Sequence, residues 1–432
     1  MEMNLSRIKD CFPVKGAFPE KALFVLLFLF PILSLSVRHW LSGAFSMIAL
    51  LSLFYAWPLL KQNPLRREEK VLFAIFGFYF FSILLSSTLT GWSESSYHRL
   101  GTEMKYLAFF PFYLYIRQYP SAWRALILAV PLGGIVLGVQ ALCDVYVLSI
   151  AQANGIYGPI IFGDLSVLLA MFSLIFALTK KNKFWIGVNL LATVLALLAV
   201  IYTGSRNAWL AAIVSLILLP FLIGTRTTFW RVGSGYMAIL VVAVVMISST
   251  PTSIKSRFGV ATDEFRSYFH HDLSTEKTNV GATSVGIRLE MWRSALMIIK
   301  QHPLFGVGPG NMGVEMNALV KKGQAPEAVY RDPAGIRGVH VHNAYFEVMG
   351  TQGIIGLSAL LLMLFYPLYV FVHNRRYDRR IASMGIILMS GFMIFSLTEI
   401  PFIHDNFSSI FLTFLSVFFA WIMHAKYSPR TA

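Results

Sequence analysis

Charge is what this 432-residue sequence has least of. Asp, Glu, Lys and Arg make up 13% of it, about half the roughly 25% of a soluble domain. Hydrophobic residues make up 56% and aromatics 15%, and mean hydropathy is +0.64. Too few polar groups remain to cover a surface in water, so a soluble globular protein is excluded and lipid must solvate most of the chain. Cysteine is nearly absent. Cys11 lies in a polar N-terminal arm and Cys143 inside an apolar run, which excludes a disulfide framework or a CxxC metal knuckle. No HExxH or other tight ligand set occurs, so neither a metal nor another cofactor is expected. Internal repeats and low-complexity tracts are lacking as well.

What is present is a succession of apolar segments: 21–37, 40–60, 71–90, 106–116 (short, extending at its start), 125–150, 159–179, 184–203, 208–224, 232–249, 344–372, 381–400 and 407–424. The connections alternate in charge. One set, comprising the N-terminal arm, every second connection and the tail, carries 21 Lys and Arg, whereas the opposite short connections carry only Arg38, Arg99, Lys105 and Arg206. By the positive-inside rule this predicts an all-α integral membrane protein of about twelve transmembrane helices with both termini cytoplasmic. Arg7, Lys9, Lys15 and Lys21 before the first apolar run imitate a signal peptide, but no small-residue cleavage site follows, so a retained helix is expected. The net charge of +15 does not indicate nucleic acid, because the basic residues sit between apolar runs instead of on one patch.

The sequence divides into 1–249 (nine spans), a polar outer loop at 250–343, and 344–432 (three spans and a cytoplasmic tail). Within the loop, 286–300 reads as an amphipathic helix with Leu289, Trp292, Leu296 and Ile299 on one face and Glu290, Arg293, Ser294 and Lys300 elsewhere. His302-Pro303 stops it, Gly306, Gly308, Pro309 and Gly310 make a helix-breaking turn, and 311–322 forms a second helix before a loose stretch at 323–338. The loop is expected to be a helical cap on the outer face between the ninth and tenth spans.

Ionisable residues inside a membrane are costly, so their depth is informative. Asp144, Asp164, Glu347, Glu399 and His404-Asp405 all fall in outer halves or just outside them, and none falls near mid-bilayer. A coupled transporter would keep carboxylates or broken helices at the midplane. Arg206 lies in an elbow, 202–209, where Ser205 or Asn207 can cap the next helix. Free N–H groups at that helix start and the paired donors of a guanidinium make an anion site suited to phosphate, or hold lipid headgroups. Arg288 begins the amphipathic helix of the loop. His340-Val341-His342-Asn343 marks re-entry into the membrane. Two histidines so spaced lie about 200° apart if the helix has begun, so they would not share a site, and one is better suited as a general base on a hydroxyl.

Three stretches carry a family resemblance. TGSRNAWL (203–210), GIRLEMWRSALMIIKQHPLFGVGPGNM (286–312) and HVHNAYFEVMGTQGIIGL (340–357) resemble the O-antigen ligase/polymerase superfamily. They cover about an eighth of the chain, in order and at the expected places in a twelve-span protein with a late outer loop. The family's elbow arginine falls on Arg206, its loop arginine on Arg288 and its histidine before asparagine on His342. Phe346 stands where a leucine is common. Asn343, Glu347 and His340 are neighbours of that site.

The resemblance implies a glycosyltransferase working on the periplasmic side of the bacterial inner membrane, in the lipid bilayer. Its donor would be an undecaprenyl-diphosphate-linked polysaccharide and its acceptor a sugar hydroxyl of lipid A–core, as in lipopolysaccharide biosynthesis by an O-antigen ligase. His342 would take the hydroxyl proton, and Arg206 and Arg288 would bind the diphosphate and offset its growing charge without a metal. Single displacement would invert the anomeric carbon. A polymerase of the same superfamily and a protein O-oligosaccharyltransferase are the near alternatives. The modest outer loop, with no large soluble domain after the last span, favours the ligase. A lipid flippase or transporter is the alternative of a different class, and the absence of midplane charge counts against it.

Overall fold

Apolar runs of about 20 residues leave the backbone one economical solution in lipid, hydrogen-bonding to itself within a helix. The computed structural model describes residues 17–224, 284–330 and 340–428, and among these it contains helices and no strand. In chain order they are α1 (Phe18–Ile32), α2 (Trp40–Gln62), α3 (Arg67–Thr90), α4 (Glu94–Gln118), α5 (Pro120–Leu142), α6 (Pro159–Thr179), α7 (Lys183–Thr203) and α8 (Arg206–Ile223). Then follow α9 (Ser284–Gln301), α10 (Met312–Lys321), α11 (Ala344–His373), α12 (Arg379–Phe395) and α13 (Asp405–Tyr427). Among the described residues, seven helical stretches are long and apolar enough to cross a membrane: α3, α5 with the π-helical turn that prolongs it (Cys143–Val147), α6, α7, α8, α11 and α13. The chain is a multi-pass membrane protein. The expected ninth span, 232–249, lies outside the described residues.

α6 and α13 are enclosed on nearly all sides and form the centre, with 89% of the apolar stretch of each buried. α7, α8 and α12 pack on α6, while α4 and α12 pack on α13. Small residues let backbones approach where lipid supplies no hydrophobic drive between helices. On α5, a Cβ on Gly138 would lie 2.6 Å from the Leu195 carbonyl oxygen of α7, so the contact requires glycine.

Three expectations need correction. The fourth helix starts at Glu94, where the Ser93 hydroxyl accepts the Ser96 N–H at 3.1 Å, and so carries Arg99 and Glu103 into ordered structure. α12 ends at Phe395, well before 400, and Glu399 therefore sits on a loop, 396–404. α11 is broken at Gly353 (φ 67°, ψ −164°), a backbone region open essentially only to glycine. The 303–308 turn fills the break. Val307 N–H donates to Gly350 O (2.9 Å), Gly308 N–H to Thr351 O (3.0 Å) and Ile354 N–H to Pro303 O (2.9 Å). The 20 residues after the break still rise about 30 Å, enough to cross a bilayer, while the piece before it stays with the outer loop.

Candidate functional site

Four elements meet at one end of the bundle: the α7–α8 elbow, α9, the 340–343 re-entry and the α12–α13 loop. At the elbow Gly204 ends α7 in the left-handed region, and the Ser205 hydroxyl accepts the Ala208 N–H, capping α8 with Arg206 as its first residue. Asn207 donates to Asp164 of α6 (Nδ2 to Oδ2, 3.2 Å). Asp164 thus holds the elbow from the core, whereas Asp144 accepts the Asn154 and Gly155 N–H groups (3.1 and 3.0 Å) and closes a loop.

α9 presents a different face to the protein from the one its pattern suggested. Glu290, Met291, Ser294, Ala295 and Ile298 are buried, while Leu289 and Trp292 are half-buried and Leu296 is exposed. The helix has apolar residues on two flanks, and α10 and the start of α11 cover the Met291 flank. Leu289, Trp292, Leu296, Met297 and Phe346 line a shallow surface groove on the other. Half-buried Arg288 has its guanidinium pushed down from its ordinary value by burial. The Glu399 carboxylate opposes that shift and the Arg206 charge adds to it. Both arginines therefore belong to one electrostatic neighbourhood, and both stay charged.

The re-entry segment is not yet helical, since α11 begins only at Ala344. The expected separation of the two histidines on opposite faces accordingly fails, and their rings lie 4.7 Å apart. His342 has a left-handed backbone (φ 49°), costing about 1–3 kcal/mol unless its surroundings hold it. They do. The Val341 peptide is clamped on both sides, its N–H donating to Glu347 Oε2 (3.1 Å) and its carbonyl accepting from Trp292 Nε1 (2.9 Å). Asn343 caps α11 through the Tyr345 and Phe346 N–H groups (3.0 Å each) and donates to Leu397 O (2.9 Å). Phe346 packs its ring 6.0 Å from Trp292, a contact that accounts for an aromatic side chain there.

His342 Nδ1 lies 3.0 Å from Glu399 Oε1, with the carboxylate 6% exposed and the imidazole 34%. Burial alone would push Glu399 up, but the His342 hydrogen bond and the charges of His342, His404 and His340 leave it below its ordinary value. An ionised carboxylate can only accept, so Nδ1 is the donor to Glu399, and Nε2 is the ring atom left to exchange a proton with a substrate. That is the chemistry of a positioned general base whose partner stabilises the cation formed when it takes a proton. His404 approaches the other oxygen of Glu399 at 3.9 Å, and burial pushes its imidazole down. Arg99, ion-paired with Glu103 (2.9 Å), adds its positive field at His404.

The structure thus gathers Arg206, Arg288 and His342, with His340, Asn343 and Glu347 in supporting positions. Sequence reasoning left Glu399 and His404 outside the site. Their shared outer depth was the available signal. His340, Glu399 and His404 also each offer an atom within 4.8 Å of the others, a spacing that could hold a metal ion.

A Haemophilus influenzae protein described as uncharacterized is 26% identical over 378 residues, covering 84% of this chain and 89% of the relative. Residues 191–361 match the family model described as O-antigen ligase, a segment containing the elbow, α9 and the re-entry histidines. On that match, this stretch of the chain is similar to the O-antigen ligase family, as the motifs at 203–210, 286–312 and 340–357 led one to expect.

Proposed function

We propose that the protein is an O-antigen ligase of the inner membrane, with twelve spans, both termini cytoplasmic and the 250–343 loop periplasmic. It moves a polysaccharide from undecaprenyl diphosphate to a sugar hydroxyl of lipid A–core. The similarity of residues 191–361 to the O-antigen ligase family supports a membrane glycosyltransferase using a lipid-linked polysaccharide and a lipid acceptor. The observation that carries the chemistry is the His342–Glu399 pair, in which Nδ1 faces a carboxylate whose field also meets that of Arg288.

In this reading Arg206 and Arg288 hold the diphosphate, and the N-terminus of α8 adds its N–H groups and positive dipole end. The acceptor oxygen attacks the anomeric carbon as His342 Nε2 takes its proton. The bond from that carbon to the diphosphate oxygen breaks, and undecaprenyl diphosphate departs with the electron pair. The arginines offset the added charge, and the configuration inverts. Glu399 keeps the imidazolium in place until the proton passes to water. No ATP is needed, because the lipid diphosphate bond supplies the energy.

The deciding assay combines purified protein, lipid-linked polysaccharide and lipid A–core, resolved on a gel. Joined product only when lipid A–core is present supports the ligase. Longer chains formed from donor alone would make the protein a polymerase, and donor movement across vesicles without joining would make it a transporter.

A further inference from the structure

We infer that His340, Glu399 and His404 form a reversible, inhibitory Zn²⁺ site beside the transferring base. Its inhibitory effect rests on the ligase reading; its occupancy does not. Glu399 is buried, and the two imidazoles are half-buried, their rings 5.7 Å apart at 83°. Two imidazoles and a carboxylate are the donors of three-ligand zinc sites, which keep a fourth position for water. Hard ions such as Mg²⁺ prefer all-oxygen shells and are poorly served here.

The ligand atoms lie within 4.8 Å of one another, whereas tetrahedral zinc with bonds near 2.0–2.1 Å places them about 3.4 Å apart. Side-chain rotation supplies the difference. The histidines come from different segments, His340 before the clamped Val341 and His404 as the N-cap residue of α13, so their backbones are held and closure onto an ion is a matter of side-chain torsions alone. Against the ion stand Arg99, whose field reaches His404, and Arg288, whose field meets that of Glu399. These charges oppose a dication, which suits a site that fills and empties better than a resident structural ion. Zinc bound through Glu399 takes over the carboxylate charge that holds His342 and sets two positive charges beside the base. Transfer then stops without loss of fold.

The test uses the full-length protein in detergent, stripped with EDTA and titrated with Zn²⁺ alone. Bound metal is counted by elemental analysis after desalting, and affinity is measured by calorimetry. One zinc per chain is expected, at least tenfold weaker in His340→Ala and in His404→Ala, each checked for native elution and melting, and retained in His342→Ala. In the transfer assay, saturating Zn²⁺ should slow the wild type at least tenfold, with EDTA restoring the rate and equal Mg²⁺ without effect. Sensitivity, read as the ratio with and without zinc inside each variant, should disappear in His340→Ala. Equal zinc binding by the wild type and the His340→Ala/His404→Ala double variant overturns the site, as does unchanged inhibition in that double variant. Failure of the ligase reading appears separately, as no joined product in the metal-free assay while zinc still binds.

Discussion

At the scale of the residue, the two re-entry histidines are close in space and unequal in role. Only His342 is bound through Nδ1 to Glu399, which points Nε2 away from the carboxylate as the atom to take a proton. Loss of a general base costs about 10²–10⁴ in rate, so His342→Ala should give no joined product on a gel while still binding lipid-linked donor. His340→Ala should keep substantial activity. The opposite pattern would place the base on His340 and the register of the re-entry one step off. The arginines make a second contrast. Arg206→Lys keeps the charge but loses the paired fork, so a large loss of transfer with normal membrane insertion is expected, and Arg288→Ala should behave alike. Full activity in either returns that arginine to binding lipid headgroups. Motif and order made Arg206, Arg288 and His342 legible. Glu399 was not, because its partner lies 57 residues away and the contact depends on where α11 begins and α12 ends.

At the scale of the element, boundaries written into local chemistry were legible and those set by a distant segment were not. α6 runs from Pro159 to Thr179 as its pattern predicts, with proline in the first turn, where the missing N–H is harmless. The break in α11 was hidden, since Gly353 takes its conformation from the 303–308 turn packed against it. A methyl group there would need a backbone region barred to alanine and would sit 2.1 Å from the Leu304 carbonyl oxygen. Gly353→Ala should therefore cost at least about 2 kcal/mol and lower the melting temperature in detergent. A native melting curve would show that the turn can withdraw from the break. The buried face of α9 was misread for a related reason: two apolar flanks compete, and only packing chooses. That packing ties Arg288 to His342 through the Trp292 hydrogen bond. Trp292→Phe keeps the ring and loses one bond worth about 1 kcal/mol. It should slow transfer about fivefold with donor binding unchanged, whereas a purely structural role would show in melting instead.

At the scale of the whole molecule, the site, the charge pattern and the membrane must agree on one orientation. The basic connections gather Lys61, Arg66, Arg67 and Lys70 with Arg117, Arg124 and Lys426, and the structure draws several of them together: Arg117 pairs with Glu69 at 3.0 Å, Lys426 with Glu68, and Arg66 stacks on Tyr427 at 4.7 Å. His342, Glu399 and Arg206 all stand at the opposite helix ends, next to the starts of α8, α11 and α13. If the positive-inside rule holds, that end faces the periplasm, where a lipid-linked polysaccharide and lipid A–core could both reach it. Cysteine labelling decides the matter. Lys322 is exposed at the end of α10, and substituting it avoids the left-handed backbone of Gly323 (φ 70°). In a background with Cys11 and Cys143 replaced by serine, Lys322→Cys should react with a membrane-impermeant maleimide from the periplasmic side of intact cells. A cysteine at Ser428, just past α13, should react only after the inner membrane is opened. Labelling of Ser428→Cys in intact cells together with protection of Lys322→Cys would put His342 in the cytoplasm, away from any acceptor on the outer leaflet, and the proposed transfer could not occur there.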